Sequence, residues 1–430
     1  MVEKKIRLIE LFAGIGTQAM ALRDIGANFE HYYVVEYDKH AVKSYNAIHD
    51  TNFKPMDICN VSGADLNITE RDKYYYIMTY SFPCTSLSIA GTMAGMIEGS
   101  GTESSLLWEV KRILSELRDR NELPDTLVME NVQQIHSNKH IKEFEKWLDF
   151  LSSIGYHSTW FDLNAADYGV PQHRVRTFCV STLSNEEYEI PHPITLKEKM
   201  SDRLESEVSD YYFIHTGKAK NLIQQLIDDG TLNESTTMIP VDLSINKPKA
   251  KTIANCITAH LYKEGWVISN QRSLLNGVVY QLGNICPTKT RDNPNQGRVY
   301  NKSGSAPTLT GMTGGNRMPF IVDEQCYKKG EQYAIRKLTP YECWALMGYS
   351  LLDYASAKIG SRENAKKILD DAKKMSWLEM MNKLDDMSVM SRNQMYKQAG
   401  NAIVRDCMMA VFSQLNIKGC AKWNEGRNES

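Results

Sequence analysis

The first 180 residues alternate between two hydrophobic periods. Near-continuous apolar runs, KIRLIELFAG (5–14), HYYVVEY (31–37), YYYIMTY (74–80) and DTLVME (125–130), have the length of strands buried on both faces. Between them stand TQAMALRDIG (17–26), DKHAVKSYNAIH (38–49), SSLLWEVKRILSELRD (104–119) and IKEFEKWLDFLSSIG (141–155), which read as helices. Ala19, Met20, Leu22 and Ile25 share one helix face, Gly26 suits a C-cap, and Asp38 is placed as an N-cap. Strands alternating with helices of this length predict an α/β fold, a parallel sheet covered by helices on both faces.

From about Leu183 the alternation dissolves. Short β-like pieces (GWVIS, GVVYQL, PFIVD) are separated by Gly, Asn, Pro and Thr, with basic clusters in KPKAK and KTRDNPNQGR. The expected organisation is a first domain over 1–185, a smaller and mostly β domain over 186–326, and a helical segment over 327–430. In that last segment, MYKQAGNAIVRDCMMAVFSQL (395–415) is apolar enough to return to the first domain.

Composition narrows the functions without choosing one. A formal charge of −2 gives no global reason to expect a nucleic-acid partner, so any such contact must come from local basic clusters. The nine cysteines are scattered with no CxxC pair, which argues against a disulfide framework or a structural zinc and for a reducing cytoplasm. The sequence shows neither the apolar core of a signal peptide nor a membrane span.

Three places on the expected sheet edge carry chemistry. The turn Phe12-Ala13-Gly14-Ile15-Gly16-Thr17 allows a close backbone approach, and Glu36, about twenty residues on, can accept from both ribose hydroxyls. Asp57 and Ile58 fall where an adenine would lie. This pattern serves a nicotinamide dinucleotide and S-adenosylmethionine equally. Cys84 follows Pro83 at the end of YYYIMTY, which turns the chain out of the strand into a loop of small residues. Glu130 ends the next strand on the same edge; a thiolate can attack an electrophilic carbon while a buried carboxyl donates a proton. In QHRVR (172–176), read as a strand, Arg174 and Arg176 share a face.

Taken in order, FAGIG, Glu36, Pro83-Cys84, Glu130-Asn131-Val132, QHRVR, SAPTLTG (305–311) and QAGNAIV (398–404) resemble the DNA (cytosine-5)-methyltransferase family. The resemblance implies a Rossmann-like sheet binding S-adenosyl-L-methionine, with the middle segment as a target-recognition domain. It makes Cys84 the nucleophile that adds to carbon 6 of a flipped-out cytosine, so that carbon 5 takes the methyl group. Glu130 would protonate or hold ring nitrogen 3, Arg176 the exocyclic oxygen, and Arg174 would help position Cys84 or a nearby phosphate. A base, a water in this reading, then removes the carbon 5 proton, and elimination breaks the bond to carbon 6 and frees Cys84. Phe12, Ala13, Gly14 and Gly16 would line the cofactor, Glu36 its ribose, Asp57 and Ile58 its adenine, with Asn401 returning to the same pocket. The implied partner is double-stranded DNA; a cognate restriction endonuclease would act separately, and a cytoplasmic monomer is expected, with no metal.

The chain departs from the family pattern at three points. Thr85 stands where a glutamine is common, Thr17 follows Gly16 where a second glycine is common, and 351–391 reads as an inserted pair of charged helices. The competing readings are a tRNA cytosine-5 methyltransferase, a nicotinamide-dependent oxidoreductase, and a DNA-binding module without catalysis. The oxidoreductase leaves Cys84, Glu130 and QHRVR without a joint role, and the inactive module leaves the thiol and the carboxyl unexplained.

Overall fold

The computed structural model of the protein describes residues 2–83, 87, 96–229, 241–242, 249–250, 281–286, 293, 297–309, 319–323, 334–420 and 423. Six strands make the main sheet: β1 Lys5–Leu11, β2 Phe29–Val35, β3 Tyr74–Tyr80, β4 Thr126–Val132, β5 His157–Asn164 and β6 Val175–Thr182, in the order β2-β1-β3-β4-β6-β5. Because β2 and β3 flank β1 on opposite sides, the strand order reverses at β1. A crevice opens there at the carboxyl ends, where open α/β sheets take their ligands.

Strands β1 to β4 are parallel, as the alternation predicts, but β6 runs antiparallel to both β4 and β5. The reason is the connection. Residues 165–174 hold only a short turn, Ala165–Tyr168, and a parallel return needs a crossover of about a dozen residues or more.

The helices α1 Thr17–Asp24, α2 Lys39–His49, α4 Leu107–Asp119 and α5 Ile141–Ser153 follow the predicted segments, and the short α3 Gly63–Leu66 falls outside them. Ile6, Leu8, Ile77, Val128, Phe178 and Val180 point to one face of the sheet, against Ala19 and Met20 of α1 and Cys407 and Met408 of the late helix Arg405–Ser413. Ile9, Leu11, Met78, Leu127 and Met129 point to the other, against Val110 of α4 and Phe144 and Trp147 of α5. Each such side chain stabilises the fold by ~1.5–3 kcal/mol when fully buried. Asp38 caps α2, its carboxylate accepting the His40 N–H at 2.8 Å, and Gly26 follows the end of α1 with φ +81°.

Three strands of the middle segment, Gln281–Asn284, Arg298–Tyr300 and Phe320–Asp323, form a four-stranded sheet with Ala334–Lys337 from the segment read as helical. Leu282, Val299, Phe320 and Ile335 pack there against Ala219 and Leu226 of the helix Gly217–Asp228. The piece GWVIS and most of both basic clusters lie outside the described residues.

The segment read as an inserted pair of helices contains three, Leu351–Ile359, Arg362–Asp371 and Trp377–Asp386. Gly360 ends the first with φ +73°, Ser361 caps the second, and Ser376 with Glu379 makes a capping box for the third. Among the described residues, no helix is long and apolar enough to cross a membrane.

Candidate active site

The turn after β1 is built from left-handed backbone: Phe12 has φ +59°, Gly14 +57° and Gly16 +80°. The two glycines do different work. A Cβ on Gly16 would fall 2.3 Å from His49 Nε2 and 2.6 Å from the Tyr45 ring, so only glycine fits. A Cβ on Gly14 would meet nothing within 4 Å, so its backbone borders open space at the crevice.

Glu36 lies beside this turn. Its Oε2 accepts the Gly14 N–H at 2.9 Å and its Oε1 the Asp38 N–H at 2.7 Å. Burial raises its pKa, opposed by these backbone donors. A carboxylate offers about four acceptor sites, more than these amides fill, so a pinned carboxylate can still take hydroxyl donors. The Met56 N–H donates to the Glu36 carbonyl at 2.8 Å, which brings Asp57 and Ile58 to the same edge. Asp57 caps a short turn through the Cys59 N–H at 3.0 Å, and Ile58 is buried.

The second half of the site stands at the ends of β4 and β6. Glu130, 8% exposed, lies opposite Phe178 of β6, and its Oε1 is 3.3 Å from Arg176 Nε. Burial raises the carboxyl pKa; the charges of Arg176 and Arg174 and a hydrogen bond with Ser81 oppose the rise. Asn131 donates from Nδ2 to the Phe82 carbonyl at 3.0 Å, and Ser104 Oγ donates to the Pro83 carbonyl at 2.7 Å. The chain approaching Cys84 is therefore fixed beside Glu130, while Cys84 and Thr85 lie outside the described residues.

Arg174 stands one residue before β6, which begins at Val175; its carbonyl accepts the Ala165 N–H at 3.0 Å, and its charge, like that of Arg176, acts on Glu130. The preceding residues are drawn off the sheet: the Leu309 N–H donates to Gln172 Oε1 at 3.2 Å and the His173 N–H to the Ala306 carbonyl at 2.8 Å. The buried Arg174 guanidinium donates to the carbonyls of Leu309 (2.6 Å), Gly400 (3.0 Å) and Ala402 (2.7 Å). It thus clasps the chain on both sides of Asn401, which ends the helix Arg392–Asn401 with its side chain exposed. Near the start of that return, Gln398 bonds Ser44 at 3.0 Å and the His40 carbonyl at 3.2 Å, and Lys397 pairs with Asp38 at 2.8 Å. These contacts bring the QAGNAIV segment to the start of α2, next to Glu36.

Two features escape the motif reading. Tyr37, directly after Glu36, is 77% exposed, and a large exposed ring on the ligand edge was the available signal. Tyr349 joins Thr17 to the C-terminal return, a link between distant segments with no local pattern. No group of three or more potential metal ligands occurs among the described residues.

The sequence model of the C-5 cytosine-specific DNA methylases matches residues 6–358. The chain is 32% identical over 266 residues to the type II methyltransferase M2.ScrFI of Lactococcus lactis subsp. cremoris, covering 50% of this chain and 72% of that one. It is 24% identical to the orphan methyltransferase M.SPBetaI of Bacillus phage SPbeta, over 96% of this chain and 97% of the phage protein. Among solved structures, the S. pombe Dnmt2 methyltransferase shares the fold at a TM-score of 0.55, with 16% identity over 96% of this chain and 98% of that one.

Proposed function

The chain belongs to the C-5 cytosine-specific DNA methylase family, and on that premise we propose that it methylates carbon 5 of cytosine at a specific sequence in duplex DNA, by covalent addition of Cys84 to carbon 6 of a flipped-out base. The observation that carries the reading is the Glu130–Arg176 pair, a buried carboxyl with a raised pKa beside the fixed approach to Cys84. Cytosine is a poor electrophile until its ring is protonated or hydrogen-bonded. A carboxyl held toward its neutral form donates to ring nitrogen 3 as the thiolate adds, and Arg176 holds the exocyclic oxygen. Carbon 6 is inaccessible inside a duplex, so the base must leave the stack to reach this pair.

The residues at the β1 edge fit S-adenosylmethionine. The open space over Gly14 admits a ligand against the backbone, and the pinned Glu36 carboxylate suits a ribose diol. Phe12, Ala13 and Gly16 would complete the lining, Asp57, Ile58 and the exposed ring of Tyr37 would hold the adenine, and Asn401 would close the pocket. When bound, the cofactor supplies the electrophilic methyl carbon. Arg174 serves this site from behind, by clasping backbone, rather than by touching the base.

Transfer of radiolabelled methyl from S-adenosylmethionine to duplex DNA of mixed sequence, with tRNA in parallel, tests the reading. Label is expected in DNA, and Glu130→Gln should lower kcat by about 10²–10⁴-fold with little change in the KM for cofactor. Label confined to tRNA would move the substrate to RNA; an active Glu130→Gln enzyme would remove the carboxyl from the chemistry.

A further inference from the structure

Thr17 is buried at the first position of α1. Its Oγ1 lies 2.7 Å from the Tyr349 hydroxyl, which donates to the Ile403 carbonyl at 2.7 Å. A phenol carries one proton. With that proton given to Ile403, Thr17 must be the donor to Tyr349, and the chain of bonds has a fixed direction: Thr17 to Tyr349 to Ile403. Tyr349 is itself buried, and burial raises its pKa, so it stays a donor across the working range.

Ile403 lies two residues past Asn401. The backbone around Asn401 is held almost completely: Gly400 and Ala402 by Arg174, Ile403 by Tyr349, and the Arg405 N–H by the Met347 carbonyl at 3.1 Å. Gln398, Ala399 and Gly400 are buried, whereas the Asn401 side chain is exposed. A residue whose flanks are clamped while its own amide stays open is one the fold presents to something outside the core.

We infer that Thr17 and Tyr349 are positioning residues that couple the glycine turn to Asn401, so that the two sides of the cofactor pocket are set in register by one buried relay. The inference rests on the reading that Asn401 faces the cofactor. Arg174 fixes the return against β6; the relay fixes it against α1, which begins at the turn that borders the ligand. Losing the phenol leaves the Ile403 carbonyl and the Thr17 hydroxyl without their partner in a buried place, and the return shifts away from the turn.

The test is S-adenosylmethionine affinity by titration calorimetry, on full-length variants, at a temperature where circular dichroism shows each cofactor-free variant folded. Tyr349→Phe is expected to weaken binding about 10-fold and Thr17→Val about 3-fold, with Thr17→Ser restoring what Thr17→Val loses. On an Asn401→Ala background, Tyr349→Phe should change affinity by less than about 2-fold, because the relay acts through Asn401. Wild-type affinity in Tyr349→Phe, or the same fractional loss with and without Asn401, would overturn the inference while leaving the proposed function intact. Unchanged binding in Asn401→Ala would overturn the placement of Asn401 and the inference with it. No binding of S-adenosylmethionine by the wild-type chain would refute the proposed function itself.

Discussion

Glu10 shows how far a single carboxyl can be moved by its surroundings. It is fully buried in β1, its Oε2 accepts from the Tyr45 hydroxyl at 2.5 Å, and burial pushes its pKa up to about 8. Around it, burial pushes His31 down to about 4 and His49 to about 3, so this stack behind Gly16 is uncharged at neutral pH. The folded state holds the Glu10 proton that the unfolded chain releases above about 4.5, so the contribution of Glu10 to stability falls as pH rises from there to about 8, while His31 and His49, neutral in the fold, contribute in the opposite sense below about 6.5. Glu10→Gln, which keeps an acceptor for Tyr45, should gain stability over wild type by ~1.4 kcal/mol for each pH unit in that window, measured by urea denaturation. A difference that does not grow with pH would mean Glu10 ionises normally. At this scale Glu130 and Glu36 were legible as candidates because strand-end acids have a recognisable place in the alternation. The partners of Arg174 were not, since they are carbonyls of Leu309, Gly400 and Ala402, and a carbonyl leaves no mark in a sequence.

Between elements, the strongest device is an ionic clamp. Asp353, with no exposed surface, accepts from Arg23 through both oxygens at 2.9 Å, from Arg362 at 2.9 Å and from Ser350 at 2.7 Å. It joins α1 to the helices Leu351–Ile359 and Arg362–Asp371. These bonds outweigh the cost of burial and hold its pKa down to about 2. The clamp is therefore intact above about pH 4 and is lost as pH falls toward 2, with ~2 kcal/mol at stake. Asp353→Asn should cost about 3 kcal/mol at neutral pH, by thermal or urea unfolding, and should lose less than wild type on acidification from pH 4 to 2. An acid response equal to wild type would show that the clamp is not what titrates. Among the elements, β1, β3 and β4 were plain in the sequence because buried parallel strands read as unbroken apolar runs. Strand β5 was not: it is an edge strand, with His157 and Trp160 exposed between half-buried neighbours. QHRVR is strand only from Val175, since Gln172 and His173 are held by Leu309 and Ala306 rather than by a neighbour in the main sheet.

Across the whole molecule the site is assembled from chain segments hundreds of residues apart. The glycine turn comes from β1, the carboxyl and guanidinium from β4 and β6, and the last contribution from a return that packs on the sheet face carrying α1. Composition and net charge gave no hint of this, because the chemistry resides in a few side chains inside an ordinary globular average. The ordered motifs did, since each falls on the sheet edge made by the carboxyl ends of the parallel strands and the amino end of antiparallel β6, or on a segment that folds back to that edge. The account's central claim is that Cys84 attacks carbon 6 of a flipped cytosine beside Glu130. The most direct measurement mixes the protein and S-adenosylmethionine with duplex DNA carrying 5-fluorocytosine, then looks for a denaturation-resistant protein–DNA adduct. Fluorine cannot leave carbon 5 as a proton does, so the account predicts a trapped adduct in wild type and none in Cys84→Ser. An adduct that persists in Cys84→Ser, or no adduct from wild-type protein that demonstrably methylates the same DNA without fluorine, would contradict it.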